Sequence, residues 1–234
     1  MVRQEVSRMI ECKMRILYLS VLCSPKTYEN LYAMSKIKPI AQAQKYHSLI
    51  VAGLKANGVE EIQTISALPV SNKAVRKRLF NRTKDTDAGI VYTYLPFINF
   101  PVLRQATLYL AACREILSHC AESRNERMMV IIDPLNLSLA LALKTCVAFL
   151  KCKTLAIVTD IPGMQEKSEN RSGIIASRLV GLMNRFKLWL MTQYDGYLLL
   201  SMQMNRLVNR KGKPYRVIEG QIDIDMKPRE PHIR

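Results

Sequence analysis

Short apolar runs of strand length alternate with longer segments of helical period along most of this chain. The run MMVII (128–132) has no polar alternation, which is typical of a central strand buried on both faces. This alternation predicts an α/β fold with a mainly parallel sheet of about seven strands and helices on both faces. The predicted strands cover residues 16–22, 60–68, 88–95, 127–136, 154–160, 195–201 and 214–220.

The domain organisation follows from the same pattern, because no linker, internal repeat or low-complexity segment divides the chain. We predict one domain over residues 14–220, a disordered leader over 1–13 and a tail over 221–234. Glu5 and Glu11 interrupt the basic start, which argues against a signal peptide. No apolar run reaches the ~18 residues that cross a bilayer, so we expect a cytoplasmic protein that can associate peripherally with the inner face of the cell membrane.

The sequence lacks the motifs of several common classes of enzyme. G-x-G-x-x-G, G-x-x-x-x-G-K-[ST] and G-x-S-x-G are all absent, which disfavours a dehydrogenase, a P-loop kinase and an α/β-hydrolase. The six cysteines contain no C-x-x-C pair, and the three histidines lie far apart. We therefore predict reduced cysteines and no metal site.

Polar residues follow several of the predicted strands, at the carboxyl ends where an open parallel sheet binds its ligands. Asp133 and Asp160 would flank one crevice and are the candidate catalytic carboxylates; the alternative is that each caps the following helix. His47, within a predicted helix over 39–58, is another candidate for substrate binding, although a lone histidine is more often a core or surface residue. The remaining candidates for substrate binding are Ser24, Tyr94, Asn99 and Asn136.

The formal net charge of +16 implies a partner that is rich in negative charge. Much of the charge lies in SNKAVRKRLFNRTK (71–84), which contains no acidic residue and is read either as a surface for lipid headgroups or phosphates, or as a solvated loop or helix face. Its only aromatic residue is Phe80, so nucleic acid is the less favoured partner. The basic residues concerned are Lys73, Arg76, Lys77, Arg78, Arg82 and Lys84.

A long predicted helix over 172–193 also bears on partners. Ile175, Leu179, Leu182, Phe186 and Leu190 keep helical spacing and are expected to pack on the sheet. Other apolar residues fall outside this stripe, which favours an interface or a membrane boundary for part of the helix.

Six stretches in order resemble the amino-terminal, acceptor-side domain of the GT-B glycosyltransferases of family four, the group 1 type. They are ILYLSVL, AQKYHSLIVAGLKANGVEEIQTISALPVS, IVYTYLPFINFPVLRQ, VIIDPLNLSLALAL, AIVTDIPG and YDGYLLLSMQMNRLVNRKGKPYRVIEGQID, over about residues 14–224. The resemblance implies one Rossmann-like half of a GT-B fold. It also implies transfer of a sugar, with retention, from a nucleotide-sugar to a glycan or lipid-linked acceptor, as in polysaccharide biosynthesis, with no obligatory metal.

By the same resemblance, Asp160 and Asp133 would orient the acceptor, and the polar residues after the other strands would line the cleft. CSPKTYEN replaces the glycine-rich turn that family members often have after the first strand, which disfavours a phosphate contact there. VIEG resembles the junction with the donor domain, so we expect the nucleotide-sugar to bind a separate donor-domain polypeptide or an interrupted second half, and no cofactor to bind this chain alone. The alternative is a non-enzymatic basic module that binds an anionic membrane surface or nucleic acid.

Overall fold

The computed structural model describes residues 14–122, 127–150, 152–163 and 174–220. The predicted leader, the predicted tail and much of the predicted polar loop after Asp160 lie outside these residues. The described strands are β1 (Met14–Ser20), β2 (Glu61–Ser66), β3 (Leu79–Phe80), β4 (Thr83–Asp87), β5 (Ile90–Tyr94), β6 (Phe97–Ile98), β7 (Arg127–Ile132), β8 (Lys153–Val158), β9 (Gly196–Leu199) and β10 (Tyr215–Val217). The described helices are α1 (Pro25–Met34), α2 (Ala41–Ala56), α3 (Pro101–Glu122), α4 (Leu137–Val147), α5 (Ile174–Met191) and α6 (Met202–Val208).

Within the described residues, the main sheet has eight strands in the order β10-β9-β8-β7-β1-β2-β5-β4. All neighbours are parallel except β4, which pairs antiparallel with β5. The seven parallel strands are the seven that the sequence predicts, so the predicted α/β fold with a mainly parallel sheet is confirmed. β3 and β6 form a separate antiparallel pair.

The centre of the sheet is apolar because helices cover it. Leu17 in β1, Val130 in β7 and Ile157 in β8 are all buried, as continuous apolar strands of a parallel sheet should be. Leu139 and Leu143 of α4 are also buried. The burial of these apolar side chains is the main stabilising contribution to the fold.

Two elements differ from the sequence-based expectation. The stretch CSPKTYEN (23–30), read from the sequence as standing in place of a turn after the first strand, contains the start of a helix: PKTYENLYAM forms α1, with Ser24 as its N-cap and Pro25 at its first position. The segment 71–84 contains a turn followed by β3 and the start of β4 rather than a helix face. Phe80 is buried there and stacks on Phe97, with ring centroids 4.6 Å apart.

The expected packing stripe of α5 is only partly buried. Leu179, Leu182 and Phe186 are exposed, whereas Leu190 is buried at the end of the helix. Ile175 lies outside the residues whose side chains are described. Within the described ranges, no helix has the length and apolar character needed to cross a bilayer.

Candidate functional site

The winding of the sheet reverses between β1 and β7. The chain passes from β1 to β2 on one side of β1, and later places β7 on the other side. The connections that follow β1 and β7 therefore leave in opposite directions. In open parallel sheets this arrangement forms a crevice at the carboxyl ends of the two strands. Asp133 and Asn136 follow β7, and Asp160 follows the neighbouring strand β8.

A buried chain of three polar side chains lies beneath this crevice. The Tyr18 hydroxyl lies 2.7 Å from Nδ1 of His47, and Nε2 of His47 lies 3.2 Å from Oδ2 of Asp133. His47 is 2% exposed and Asp133 is 5% exposed. Burial raises the pKa of Tyr18 well above its ordinary value, and the charge of Asp133 raises it further. Tyr18 therefore stays a neutral phenol, and we assign its O–H to Nδ1 and the Nε2–H to Asp133.

The other contacts of Asp133 are to the backbone. Its Oδ1 accepts a hydrogen bond from the Leu135 N–H at 3.0 Å, and its own N–H donates to the Leu19 carbonyl at 2.9 Å. The carboxylate thus fixes the turn after β7 instead of capping α4. The cap of α4 is Asn136, whose Oδ1 accepts from the Leu139 N–H at 3.3 Å.

Asn136 and Asp160 are the two candidate residues that the crevice leaves half-buried. Asp160 Oδ1 accepts from the Ile161 N–H at 2.7 Å, which holds the turn after β8. Among the described residues, each side chain uses one oxygen for one hydrogen bond, so it can form further hydrogen bonds with a ligand. These two residues are therefore placed to contact a ligand that enters the crevice.

Ser24 and Tyr94, both predicted to bind substrate, lie together in a closed cluster with Asp85. The Tyr94 hydroxyl donates to Ser24 Oγ at 3.2 Å and accepts from the Ser24 N–H at 3.0 Å. Ser24 Oγ in turn donates to Asp85 Oδ2 at 2.5 Å. This bond is the main cause that lowers the pKa of Asp85. Ser24 and Tyr94 are both buried, and their polar atoms are already used in hydrogen bonds within this cluster.

The loop between β1 and α1 has its amides occupied as well. The Leu22 N–H donates to Ser20 Oγ at 3.0 Å, and the Cys23 N–H donates to Gln44 Oε1 at 2.8 Å. With the Ser24 N–H bound to Tyr94, these three consecutive amides are not free to bind a phosphate in this conformation.

Asn99 lies at the β3–β6 pair instead of the crevice. Its Nδ2 donates to the carbonyl oxygens of Lys77 at 3.0 Å and Val75 at 3.4 Å, and its N–H donates to the Arg78 carbonyl at 2.7 Å. Asn99 is fully buried. It therefore anchors the segment that carries several of the candidate basic residues.

The six basic residues of 71–84 do not form one group. Lys73, Arg76, Lys77 and Arg78 are exposed and precede β3. Lys84 lies on the edge strand β4.

Arg82 forms two hydrogen bonds with Glu115, at 2.6 and 3.0 Å. Glu115 is buried, although its spacing from His119 is typical of an exposed face, and the contact with Arg82 is the main cause that lowers its pKa.

Sequence reasoning missed Tyr18, Gln44 and Asp85. Gln44 and His47 are three residues apart, so they lie on the same face of α2, and two polar residues on a face that packs on the core were a usable signal. Asp85 lies in TKDTD, a mostly exposed strand with no apolar alternation, and carried no signal. The described residues contain no group of three His, Cys, Asp or Glu that could hold a metal ion.

Comparisons with known proteins bear on this fold. No family model matches the chain, and no curated protein matches it. Among solved structures, sucrose-phosphate synthase from Thermosynechococcus elongatus is similar to it with a TM-score of 0.50 at 10% identity, over 87% of this chain and 47% of that one. The chain has the fold of one half of a GT-B glycosyltransferase.

Two further structures are similar at lower scores. An α,α-trehalose-phosphate synthase (UDP-forming) from Burkholderia vietnamiensis is 13% identical over 91% of this chain and 45% of that one, with a TM-score of 0.48. A UGT transferase from Siraitia grosvenorii, in complex with UDP, is 9% identical over 88% and 50%, with a TM-score of 0.47. The chain thus spans about half the length of these proteins or less. A shared fold does not fix activity, so the activity does not follow from these likenesses.

Proposed function

We propose that this chain is the acceptor-binding half of a retaining glycosyltransferase that moves a sugar from a nucleotide-sugar to a glycan or lipid-linked acceptor. The observation that carries the proposal is the pair Asn136 and Asp160, which are half-buried just beyond the carboxyl ends of β7 and β8, beside the switch point of the sheet. Ligands of open α/β sheets bind at such a point.

The two aspartates have different parts in this proposal. Asp160 is the group that orients the acceptor, because a half-buried carboxylate can accept a hydrogen bond from a sugar hydroxyl. Asp133 is a positioning residue, because its carboxylate is buried and bound to His47 and the Leu135 N–H. It holds the turn after β7 and, through it, the first residues of α4.

The nucleotide-sugar binds a second domain, which belongs either to the same polypeptide or to another. The occupied amides at Leu22, Cys23 and Ser24 support this division, since they leave the loop after β1 without a phosphate cradle. We also place the protein in the cytoplasm, because the described cysteines are free thiols, as is usual in a reducing compartment.

Saturation-transfer NMR with the purified chain tests the proposal. The probes are the methyl glycosides of glucose, galactose, mannose and N-acetylglucosamine, octyl glucoside as a lipid-like acceptor, and UDP-glucose as a donor. We expect saturation of at least one glycoside and none of UDP-glucose. Asp160→Asn should abolish the glycoside signal, because the amide loses one of the two carboxylate acceptors and the charge.

The matched control is Asp87→Asn. Asp87 is an exposed carboxylate on β4, which runs antiparallel, so it lies at the opposite edge of the sheet from Asp160. This variant should bind the glycoside as the unchanged chain does. Saturation of UDP-glucose alone, equal losses in the two variants, or no saturation of any glycoside would contradict the acceptor assignment.

A further inference from the structure

Four large apolar side chains are exposed close together around the β3–β6 pair and the start of α3. Val102 is 82% exposed and Leu79 is 58% exposed, and Phe100 and Leu103 are also exposed. Leu79 pairs with Ile98 across the two strands, so it lies next to the segment that leads through Phe100 into α3. Adjacent exposed apolar residues of this size indicate a contact surface.

Basic side chains flank these apolar residues on the same segment. Arg76, Lys77 and Arg78 directly precede Leu79 and are exposed, as is Lys73. The Arg78 guanidinium lies over the Phe100 ring, 4.3 Å from its centroid, which joins the basic and apolar parts in space. We call Lys73, Arg76–Leu79, Phe100, Val102 and Leu103 the basic–apolar patch.

The patch is built on a fixed backbone. Asn99 donates hydrogen bonds to the carbonyl oxygens of Val75, Lys77 and Arg78. The Lys36 N–H donates to the Ala74 carbonyl at 2.8 Å, which ties the segment after α1 to the same place. The arrangement of charge and apolar surface is therefore a property of the fold.

The sequence around the patch contains few acidic residues: Glu29, Glu60, Glu61, Asp85 and Asp87 lie at the borders of long segments without any. Residues 30–59, 62–84 and 88–114 contain lysine and arginine but no aspartate or glutamate. Of the acids that follow the basic segment, Asp85 is bound to Ser24 and Glu115 is bound to Arg82. The patch thus presents positive charge beside apolar side chains, the combination that suits the headgroup and acyl boundary of an anionic bilayer.

We propose that the basic–apolar patch docks on an anionic lipid bilayer. Three of its four apolar residues are aliphatic, whereas surfaces that bind single-stranded nucleic acid offer aromatic rings for base stacking. Insertion of Val102 and Leu103 would supply apolar burial while Arg76, Lys77 and Arg78 bind lipid phosphates.

The patch also lies at the carboxyl edge of the sheet. Arg104, next to Leu103, donates from Nη2 to the Leu68 carbonyl at 3.2 Å, just beyond the carboxyl end of β2. Docking would therefore bring the crevice close to the membrane. An acceptor that is linked to a lipid of that membrane would then lie within its reach. This last step rests on the proposed function, whereas the docking itself does not.

Vesicle flotation of the full chain tests the proposal without any sugar, so its failure is distinct from failure of acceptor binding. The vesicles are phosphatidylcholine alone, or phosphatidylcholine with about one third phosphatidylglycerol, at physiological salt. We expect binding to the anionic vesicles only. The triple variant Arg76→Gln, Lys77→Gln, Arg78→Gln should lower the partition coefficient roughly a hundredfold.

The matched control is the triple variant Arg206→Gln, Arg210→Gln, Lys211→Gln, which removes the same charge from exposed residues of α6 and its following turn. It should retain most of the binding. The double variant Val102→Ser, Leu103→Ser should lower partition about tenfold or more, with no change in the dependence on salt.

Three results would overturn the proposal. The first is equal loss of vesicle binding in the two triple variants, which would indicate general charge attraction. The second is binding of poly(U) RNA that the Arg76–Arg78 variant abolishes, with no binding to vesicles. The third is a concentration-dependent dimer in sedimentation velocity that Val102→Ser, Leu103→Ser dissociates, with no binding to vesicles.

Discussion

The carboxyl edge of the sheet has two regions that use similar polar residues in opposite ways. Beside β1 and β5, Ser24, Tyr94 and Asp85 bind one another, and the first two are buried. Beside β7 and β8, Asn136 and Asp160 each accept a bond from a neighbouring backbone N–H and stay half-buried. The first region is closed and organises α1, whereas the second is open to a ligand.

The comparison shows that a polar residue after a strand is a weak guide to binding. Its backbone position can be right while its hydrogen-bonding capacity is already used. The Tyr18–His47–Asp133 chain lies between the two regions and supports the open one. The predictions below separate residues that hold the fold from residues that contact a ligand.

The largest expected effect is on stability, from Asp133→Ala. This change leaves the buried His47 without its carboxylate partner and frees the turn at Leu135. We expect the free energy of unfolding to fall by about 3 kcal/mol. Urea unfolding measures it, and Asp87→Ala, at an exposed carboxylate, should change it by less than about 0.5 kcal/mol. Equal effects of the two substitutions would mean that the hydrogen bonds among Tyr18, His47 and Asp133 contribute nothing to stability.

Ser24→Ala tests the closed region. The variant loses the side-chain cap of α1 and the hydrogen bonds that Ser24 Oγ makes with Asp85 and Tyr94, whereas the backbone N–H at this position can still donate to Tyr94. We expect a loss of about 1 to 2 kcal/mol in urea unfolding, with unchanged saturation of the glycoside that binds the wild-type chain. Loss of glycoside binding in a folded Ser24→Ala protein would show that the closed region contacts the ligand after all.

The alkaline side of the stability curve tests the same region through Cys23. Burial raises the pKa of the Cys23 thiol from its ordinary value of 9.0 to about 12. The folded state therefore keeps a proton that the unfolded chain loses, so stability falls as the pH rises from 9 towards 12. At pH 10 this thiol should account for a loss of about 1.4 kcal/mol relative to neutral pH.

The measurement is urea unfolding of the wild-type chain and of Cys23→Ala at pH 7.5 and pH 10. The pH-independent cost of the substitution cancels, so the fall between the two pH values should be smaller in the variant. An equal fall in both proteins would mean that the Cys23 thiol is accessible to water and not part of a closed region.

Asp160→Asn should have the smallest effect on stability. The side chain is half-buried, and the amide oxygen can still accept from the Ile161 N–H. We expect a change in unfolding free energy within about 0.5 kcal/mol, together with loss of glycoside saturation. A large loss of stability would place Asp160 with Asp133 as a structural residue.

Much of the fold is predictable from the sequence because burial on both faces produces apolar runs such as those of β7 and β8. β4 was not predictable, since TKDTD is an exposed edge strand without an apolar face. β3 and β6 are two residues each, too short for any periodic signal. The start of α1 has a recognisable sequence signal, because Ser24 is a typical N-cap and Pro25 is favoured at the first helical position.

The candidate site was predictable in position and not in contacts. The alternating pattern predicts the strands β7 and β8, and these two strands are neighbours in the sheet. Asp133 and Asp160, which follow them, therefore lie at neighbouring strand ends. The pairing of His47 with Asp133 joins residues 86 positions apart and depends on how α2 packs over β1. No local pattern encodes that packing, so the burial of His47 and Asp133 could not be anticipated.

The open region itself is tested most directly by hydrogen exchange with the glycoside that gives the strongest saturation. We expect slower exchange at the amides of 135–139 and 161–163, with no change at 22–28 in the closed region. Protection confined to 22–28, or absent from 135–139 and 161–163, would contradict the assignment of the acceptor to the crevice beside Asn136 and Asp160.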